Sequence, residues 1–231
     1  MIQGMLCRRT DGTSLPSLSL PDRYLPFSSI GKSFAENNIC EMGYAVSKIY
    51  ARSIIEEFSI RFDENIHCLE DLLFMYQYLL HCDYLVLNHM QNYVYVKHSF
   101  SLSHRIHSFE SEYCCFVKYQ QLLAEMMKVW KIPAGDMVVT VNSMLVPFRR
   151  ALKSDYQPDR TIPREMRVKH LKRMISESRD VFLKYYHPVF KTDKLGKVLL
   201  GFNCYILYDF YIRLLFRLNI GPVFYGPKHM Y

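Results

Sequence analysis

Apolar residues recur at helical spacing through the stretch Arg61–His81, RFDENIHCLEDLLFMYQYLLH. Leu69, Leu72, Leu73, Tyr76 and Leu80 share one face, while Glu70, Gln77 and His81 fall away from it. This predicts a helix beginning near Leu69. Glu70 and Asp71 then stand in its first turn, where unsatisfied amides and the positive end of the helix dipole favour negative charge. On spacing alone, the pair reads as an ordinary acidic helix N-terminus.

Elsewhere the pattern divides the chain in two. Ile2–Arg9 reads as a strand or hairpin followed by the turn Asp11-Gly12, and residues 13–26, with Pro16, Pro21 and Pro26 among serines, read as a loop. A short helix is expected over Ser29–Asn37. Small and β-favouring residues over Met42–Arg52 lead into a helix at Ser53–Phe58, with a short extended piece at Ile60–Phe62. Tyr84–Asn88 and Asn92–His98 read as strands, and His89-Met90-Gln91 between them suits a hairpin or tight turn. Beyond Ser103 come long helices: Phe109–Val129, Met137–Lys153 with a kink at Pro147, Pro163–Tyr186, and Lys194–Leu218 ended by Gly221-Pro222. The expected organisation is an α/β part over residues 1–104 followed by an α-helical region over residues 105–231.

Composition supports a globular reading: half of the 231 residues are hydrophobic, enough for one sizeable core or two modest ones. Seven cysteines, an odd number with no C-x-x-C spacing, argue against a secreted disulfide framework and for a reduced, cytoplasmic setting. The N-terminus shows no charged start, apolar run and small-residue cleavage site, so no secretory signal is expected.

The net charge of +7 is unevenly placed. Residues 1–145 carry 12 Lys or Arg against 15 Asp or Glu, residues 146–191 carry 12 against 5, and residues 192–231 carry 5 against 2. A basic C-terminal third suits an anionic membrane surface, a phosphate-bearing substrate or nucleic acid, or is simply a solvated face. No nucleic-acid motif accompanies it, and no nucleic-acid partner is expected. Val198–Ile212 is almost wholly apolar and aromatic, broken by Asn203 and Asp209 and flanked by Lys191, Lys194, Lys197, Arg213 and Arg217. Such a run is shorter than the roughly 20 residues a bilayer span needs. It reads either as a buried core helix or as an in-plane membrane helix within residues 194–218, at the inner face of the membrane. His104 and His107 have no carboxylate or cysteine partner at metal-ligand spacing, and Cys114-Cys115 reads as packing.

The succession YAVSKIYARSIIEEFSIRFDENIHCLEDLLFMYQYLLHCDYLVLNHMQNYVYVKHSFSLSH, residues 44–104, resembles the second half of the catalytic domain of family 2, A-type glycosyltransferases of the bacterial polysaccharide-building kind. Ser47-Lys48-Ile49-Tyr50-Ala51-Arg52 is similar to the family's Lys-(Leu/Ile)-Tyr-x-Arg segment, with Tyr44 as its displaced opening aromatic. Ile60-Arg61-Phe62-Asp63-Glu64 is similar to its Ile-x-Phe-(Asp/Asn)-Glu step, and Glu70-Asp71-Leu72-Leu73-Phe74 to its Glu-Asp-x-x-Phe. Tyr93-Val94-Tyr95 and Ser101-Leu102-Ser103 follow as its Tyr-x-Tyr strand and Ser-x-Ser.

The resemblance implies an incomplete Rossmann-like sheet and an inverting sugar transfer in cell-surface polysaccharide biosynthesis, with a nucleotide-sugar donor and a glycan or lipid-linked acceptor. It makes Asp71 the general base, kept ionised by its helix N-terminus but thereby weakened as a base, and Glu70 a neighbour that holds the acceptor or tunes Asp71. Lys48 becomes a substrate contact. Where the family places Arg after the second Tyr, this chain has Val96, leaving Lys97 or His98 as the substitute cation. The family's Mg²⁺- or Mn²⁺-binding Asp-x-Asp is found nowhere in the sequence. The resemblance therefore implies an acceptor-side half, a truncated or split enzyme inactive alone, with no cofactor of its own and a divalent metal only in a complete enzyme. The alternative is a non-catalytic membrane-peripheral or protein-binding module derived from such an enzyme.

Overall fold

A computed structural model describes residues 1–36, 39, 42–97, 105–132, 145–156, 161–176, 179–180, 183, 188, 191–218 and 220. They form two compact units, residues 1–105 with 121–136, and residues 106–120 with 137–231.

The first unit is mixed α/β. Strands β1 (Ile2–Arg9), β2 (Ser14–Leu18), β3 (Arg23–Pro26) and β4 (Tyr84–Lys97) make a four-stranded sheet in the order β2-β1-β4-β3. β1 and β4 are parallel, and the outer strands pair antiparallel to them. The β1–β2 turn closes as expected at Asp11-Gly12: the Asp11 carboxylate accepts the Thr13 amide at 2.8 Å, and Gly12 takes φ +85°. Residues 13–26 are not the continuous loop expected from their prolines. Pro16 and Pro26 lie within β2 and β3, the two outer strands, where a missing amide donor interrupts no interior ladder.

The expected hairpin at His89–Gln91 is also corrected. β4 runs on as one strand, because both of its halves pair in parallel with β1. Gln3 lies opposite Asn88 and Met5 opposite Tyr93, so the extra residues of β4 bulge out between them. Polar contacts hold the bulge. Asp22 accepts the His89 amide at 2.9 Å and pairs with its Nδ1 at 2.6 Å, and the Gln91 amide donates to the Leu18 carbonyl at 2.9 Å. Gly4 makes room for it, since a Cβ there would meet Gln91 Cγ and the Leu18 carbonyl oxygen at 2.9 Å.

Helices α1 (Phe27–Glu36), α2 (Arg52–Glu57) and α3 (Glu70–Leu79) complete this unit together with the end of α4 (Phe109–Trp130). Leu72, Leu73, Tyr76 and Leu80 of the predicted stripe are buried, but so are Phe74, Met75, Tyr78 and Leu79, which makes α3 a core helix rather than a surface one. Tyr76 and Phe34 are fully buried and meet edge to face at 5.4 Å; Trp130 closes on Phe34 at the same distance. Residues 42–51 form no strand beyond one bridge between Ile2 and Lys48, and no strand is assigned over Ile60–Phe62.

The second unit is helical: the first half of α4, then α5 (Leu145–Asp155), α6 (Arg164–Ser176), α7 (Lys191–Gly201) and α8 (Tyr205–Arg217). Pro147 is the third described residue of α5, and residues 137–144 of the helix expected over Met137–Lys153 lie outside the described residues. The single helix expected over 194–218 is broken. Asn203 takes φ +58°, a conformation asparagine tolerates, and α7 and α8 fold back on each other with Gly196 against Tyr208 and the Tyr211 hydroxyl donating to the Thr192 carbonyl at 3.1 Å.

Part of the basic surplus is spent inside this unit. The Arg167 guanidinium clasps Asp209 at 2.7 and 3.0 Å, and the Tyr156 hydroxyl donates to the same carboxylate at 2.8 Å. Arg150 is bidentate on Glu112, Arg149 meets Asp193 at 2.7 Å, and His170 bonds Asp155 while stacking on Phe109 at 3.6 Å. Among the described residues no helix is long and apolar enough to cross a membrane.

Candidate functional site

The predicted carboxylate pair sits where the sequence places it, at the first two residues of α3. The helix enters through Leu69, which holds the left-handed region at φ +67° and offers no side-chain cap. Such a conformation costs a bulky residue on the order of 1–3 kcal/mol and persists only where the surroundings enforce it. Just inside the helix, Asp71 Oδ1 accepts the Leu72 amide at 2.8 Å, with the Ala45 amide also directed at the carboxylate.

Residues 44–51 pass in front of this helix end. They are fastened to the start of β1: the Ile49 amide donates to the Met1 carbonyl at 2.9 Å, the Gln3 amide to the Ser47 carbonyl at 2.9 Å, and the Ser47 hydroxyl to the Gly4 carbonyl at 2.9 Å. Ser47 pays for this path with a left-handed backbone, φ +60°. Gly43 is what lets the segment lie so close to α3, because a Cβ there would stand 2.5 Å from Leu72 Cδ1 and 2.6 Å from its Cβ. At the other end Tyr78 of α3 accepts the Ala51 amide on its hydroxyl at 2.8 Å.

This path carries Lys48 to the acidic pair. Its ammonium donates to the Tyr44 and Val46 carbonyls and lies 3.8 Å from the centre of the Tyr44 ring. Burial pulls the Lys48 ammonium down to about 7, against the attraction of Asp71. Burial first, and the charge of Glu70 second, push the Asp71 carboxyl up to about 6; the Leu72 amide, Lys48 and the Ala45 amide act the other way. Asp71 is therefore not the strongly ionised, weak base expected of a helix N-terminus. Desolvation outweighs the two amides and Lys48, and the residue ends near the pH at which a base both stays ionised and retains useful basicity.

An aromatic wall adjoins the carboxylate. Tyr50, whose hydroxyl is raised by burial and by the charge of Asp71, meets Phe74 and Tyr78 edge to face at 5.4 and 4.8 Å. Phe62 stacks on Phe74 at 4.6 Å and leaves half of itself, 51%, in solvent. Tyr50 and Phe62 are not among the site residues expected from the sequence, although both lie in the motif segments.

The other sequence candidates are not gathered here. Lys97 ends β4 opposite Arg9, and its charge acts on the Cys7 thiol, which burial nevertheless raises. It does not feature among the charges that move Asp71. His98 and His104 lie outside the described residues. The acidic pair is also a poor seat for a divalent cation, since Lys48 stands beside it and backbone amides engage Asp71; among the described residues no cluster of three His, Cys, Asp or Glu is arranged for a metal. An open groove of about 680 Å³ lies in the second unit and contains none of these residues. No protein-family model, curated protein or solved structure matches this chain.

Proposed function

We propose that the first unit is the acceptor-side half of an inverting, family 2-like glycosyltransferase of the A-type fold, working in cell-surface polysaccharide synthesis, with Asp71 as its base. The observation that carries this reading is the part-buried Asp71 carboxylate, raised to about 6, within the electrostatic reach of a lysine that burial lowers to about 7 and whose ammonium is held on the Tyr44 and Val46 carbonyls. Two ionisable groups displaced toward neutrality by the same desolvated spot support a candidate site over a solvated surface pair. The exposed ring of Phe62, backed by Phe74 and flanked by Tyr50, offers an apolar platform for the face of a pyranose.

In the transfer, the Asp71 carboxylate takes the proton of an acceptor hydroxyl. The freed oxygen bonds to the anomeric carbon of the nucleotide-sugar as the bond from that carbon to the diphosphate breaks, and the nucleoside diphosphate leaves on the opposite face. Lys48 restrains Asp71 electrostatically and Glu70 keeps its basicity up. The donor's nucleotide, and the Mg²⁺ or Mn²⁺ that would accompany its diphosphate, belong to a complementary half that these residues do not provide.

The test is release of nucleoside diphosphate and transfer of sugar by the purified chain, alone and together with the product of a neighbouring reading frame. Transfer is expected only in the combined sample, and Asp71→Asn should lower it by roughly 10²–10⁴-fold, the usual worth of a general base. Undiminished transfer by Asp71→Asn would remove Asp71 from the chemistry; no transfer and no acceptor binding in either sample would end the reading.

A further inference from the structure

α8 is turned the wrong way out for a helix facing water. Tyr208, Asp209, Ile212 and Leu215 are buried, whereas Ile206, Phe210 and Leu214, at successive i, i+4 positions, are 61%, 65% and 42% exposed. The orientation is locked, because Asp209 is held inside by Arg167 and Tyr156. Phe202, at the corner between α7 and α8, is the most exposed of the large apolar residues among those described, at 78%.

Cations surround this face. The groove between α6 and α8 has Ile206, Leu207 and Phe210 on its apolar side and Arg164, Lys172 and Arg213 among its lining. None of these three cations has a carboxylate within 4 Å among the described residues. The acid that also lines the groove, Asp209, is neutralised by Arg167. Across α6, α7 and α8 the exposed cations include Lys191, Lys194 and Arg217 as well, against a single exposed carboxylate, Glu165.

We propose that this face seats on the surface of an anionic phospholipid bilayer, with Phe202, Ile206 and Phe210 entering the acyl boundary and Arg164, Lys172 and Arg213 meeting headgroup phosphates. The apolar stripe and the flanking cations are the two parts of an in-plane membrane helix, and α8, at 13 residues, is too short to do anything but lie flat. An apolar protein partner or a second copy of the chain would have no use for cations left without carboxylates on the same face. The binding does not depend on the sugar-transfer reading, which concerns the other unit.

Co-sedimentation of the full chain with vesicles tests it, using phosphatidylcholine alone and phosphatidylcholine mixed in roughly equal parts with phosphatidylglycerol. The chain is expected to pellet with the mixed vesicles, weakly or not at all with the neutral ones, and less as salt is raised. Arg164→Gln, Lys172→Gln and Arg213→Gln should each weaken binding about fivefold, the worth of one basic residue near an anionic surface. Ile206→Ser with Phe210→Ser should abolish it, and because both side chains are exposed the circular dichroism spectrum should not change. Equal binding to the two vesicle types, or binding untouched by the Ile206→Ser/Phe210→Ser change, would overturn the proposal. So would a dimer seen by light scattering that the same double change dissolves, in a chain that ignores lipid.

Discussion

Replacing Asp71 by Asn separates what this residue does for the fold from what it does for the site. Its carboxyl rises from 3.8 to about 6 on folding. Between those two values the folded chain binds more proton than the unfolded one, so stability is fully present below the unfolded value and falls as pH climbs through the window. At about 1.36 kcal/mol per pH unit, keeping Asp71 ionised above the folded value costs the fold on the order of 3 kcal/mol. Partial exposure screens that to roughly 1–2 kcal/mol. Asparagine keeps an oxygen to accept the Leu72 amide but carries no charge. Asp71→Asn should therefore stabilise the chain by roughly 1–2 kcal/mol at pH 8, a rise in midpoint of about 2–8 °C, with the gain vanishing below the ordinary carboxylate range. Urea or thermal unfolding of the two proteins across pH reads it directly. Glu70→Gln should shrink the gain, because Glu70 is one of the two causes of the upward shift, and Lys48→Met should enlarge it. A destabilised Asp71→Asn at pH 8, or a difference that does not change with pH, would refute the account and leave Asp71 a simple staple for the Ala45 and Leu72 amides.

Three further outcomes follow from the packing. Asp209→Ala strands the Arg167 guanidinium in the interior of the second unit and should cost about 3–5 kcal/mol in urea unfolding; a loss below about 1 kcal/mol would mean that Arg167 escapes to water. Gly43→Ala forces a Cβ against Leu72 and should cost about 1–3 kcal/mol while displacing the segment that carries Lys48, so that any transfer activity falls further than stability does. Tyr78→Phe leaves the Ala51 amide without its acceptor and should cost about 0.5–1.5 kcal/mol, visible as faster hydrogen exchange at that amide.

Local periodicity was enough for much of this protein. The start of α3 at Glu70, the turn at Asp11-Gly12 and the helical character after residue 105 follow from spacing and turn chemistry, because each depends on residues near one another in sequence. The acidic pair was legible for the same reason. Its electrostatics were not: a helix N-terminus alone predicts a lowered carboxyl, and only the fold shows burial, helped by the charge of Glu70, outweighing the Leu72 amide, Lys48 and the Ala45 amide to reverse the sign. Likewise β4 reads as two strands with a turn until β1 is placed alongside, when parallel pairing of both halves leaves a bulge as the one way to absorb the surplus residues. The prolines of residues 13–26 argue for a loop in isolation, yet on outer strands they interrupt nothing. The apolar run 198–212 has the composition of a core helix, and sequence can say only that it must be covered by something. Which of its faces the protein covers is decided by Asp209, because a carboxylate that finds Arg167 and Tyr156 in the interior turns its own side of α8 inward and leaves Ile206 and Phe210 outside.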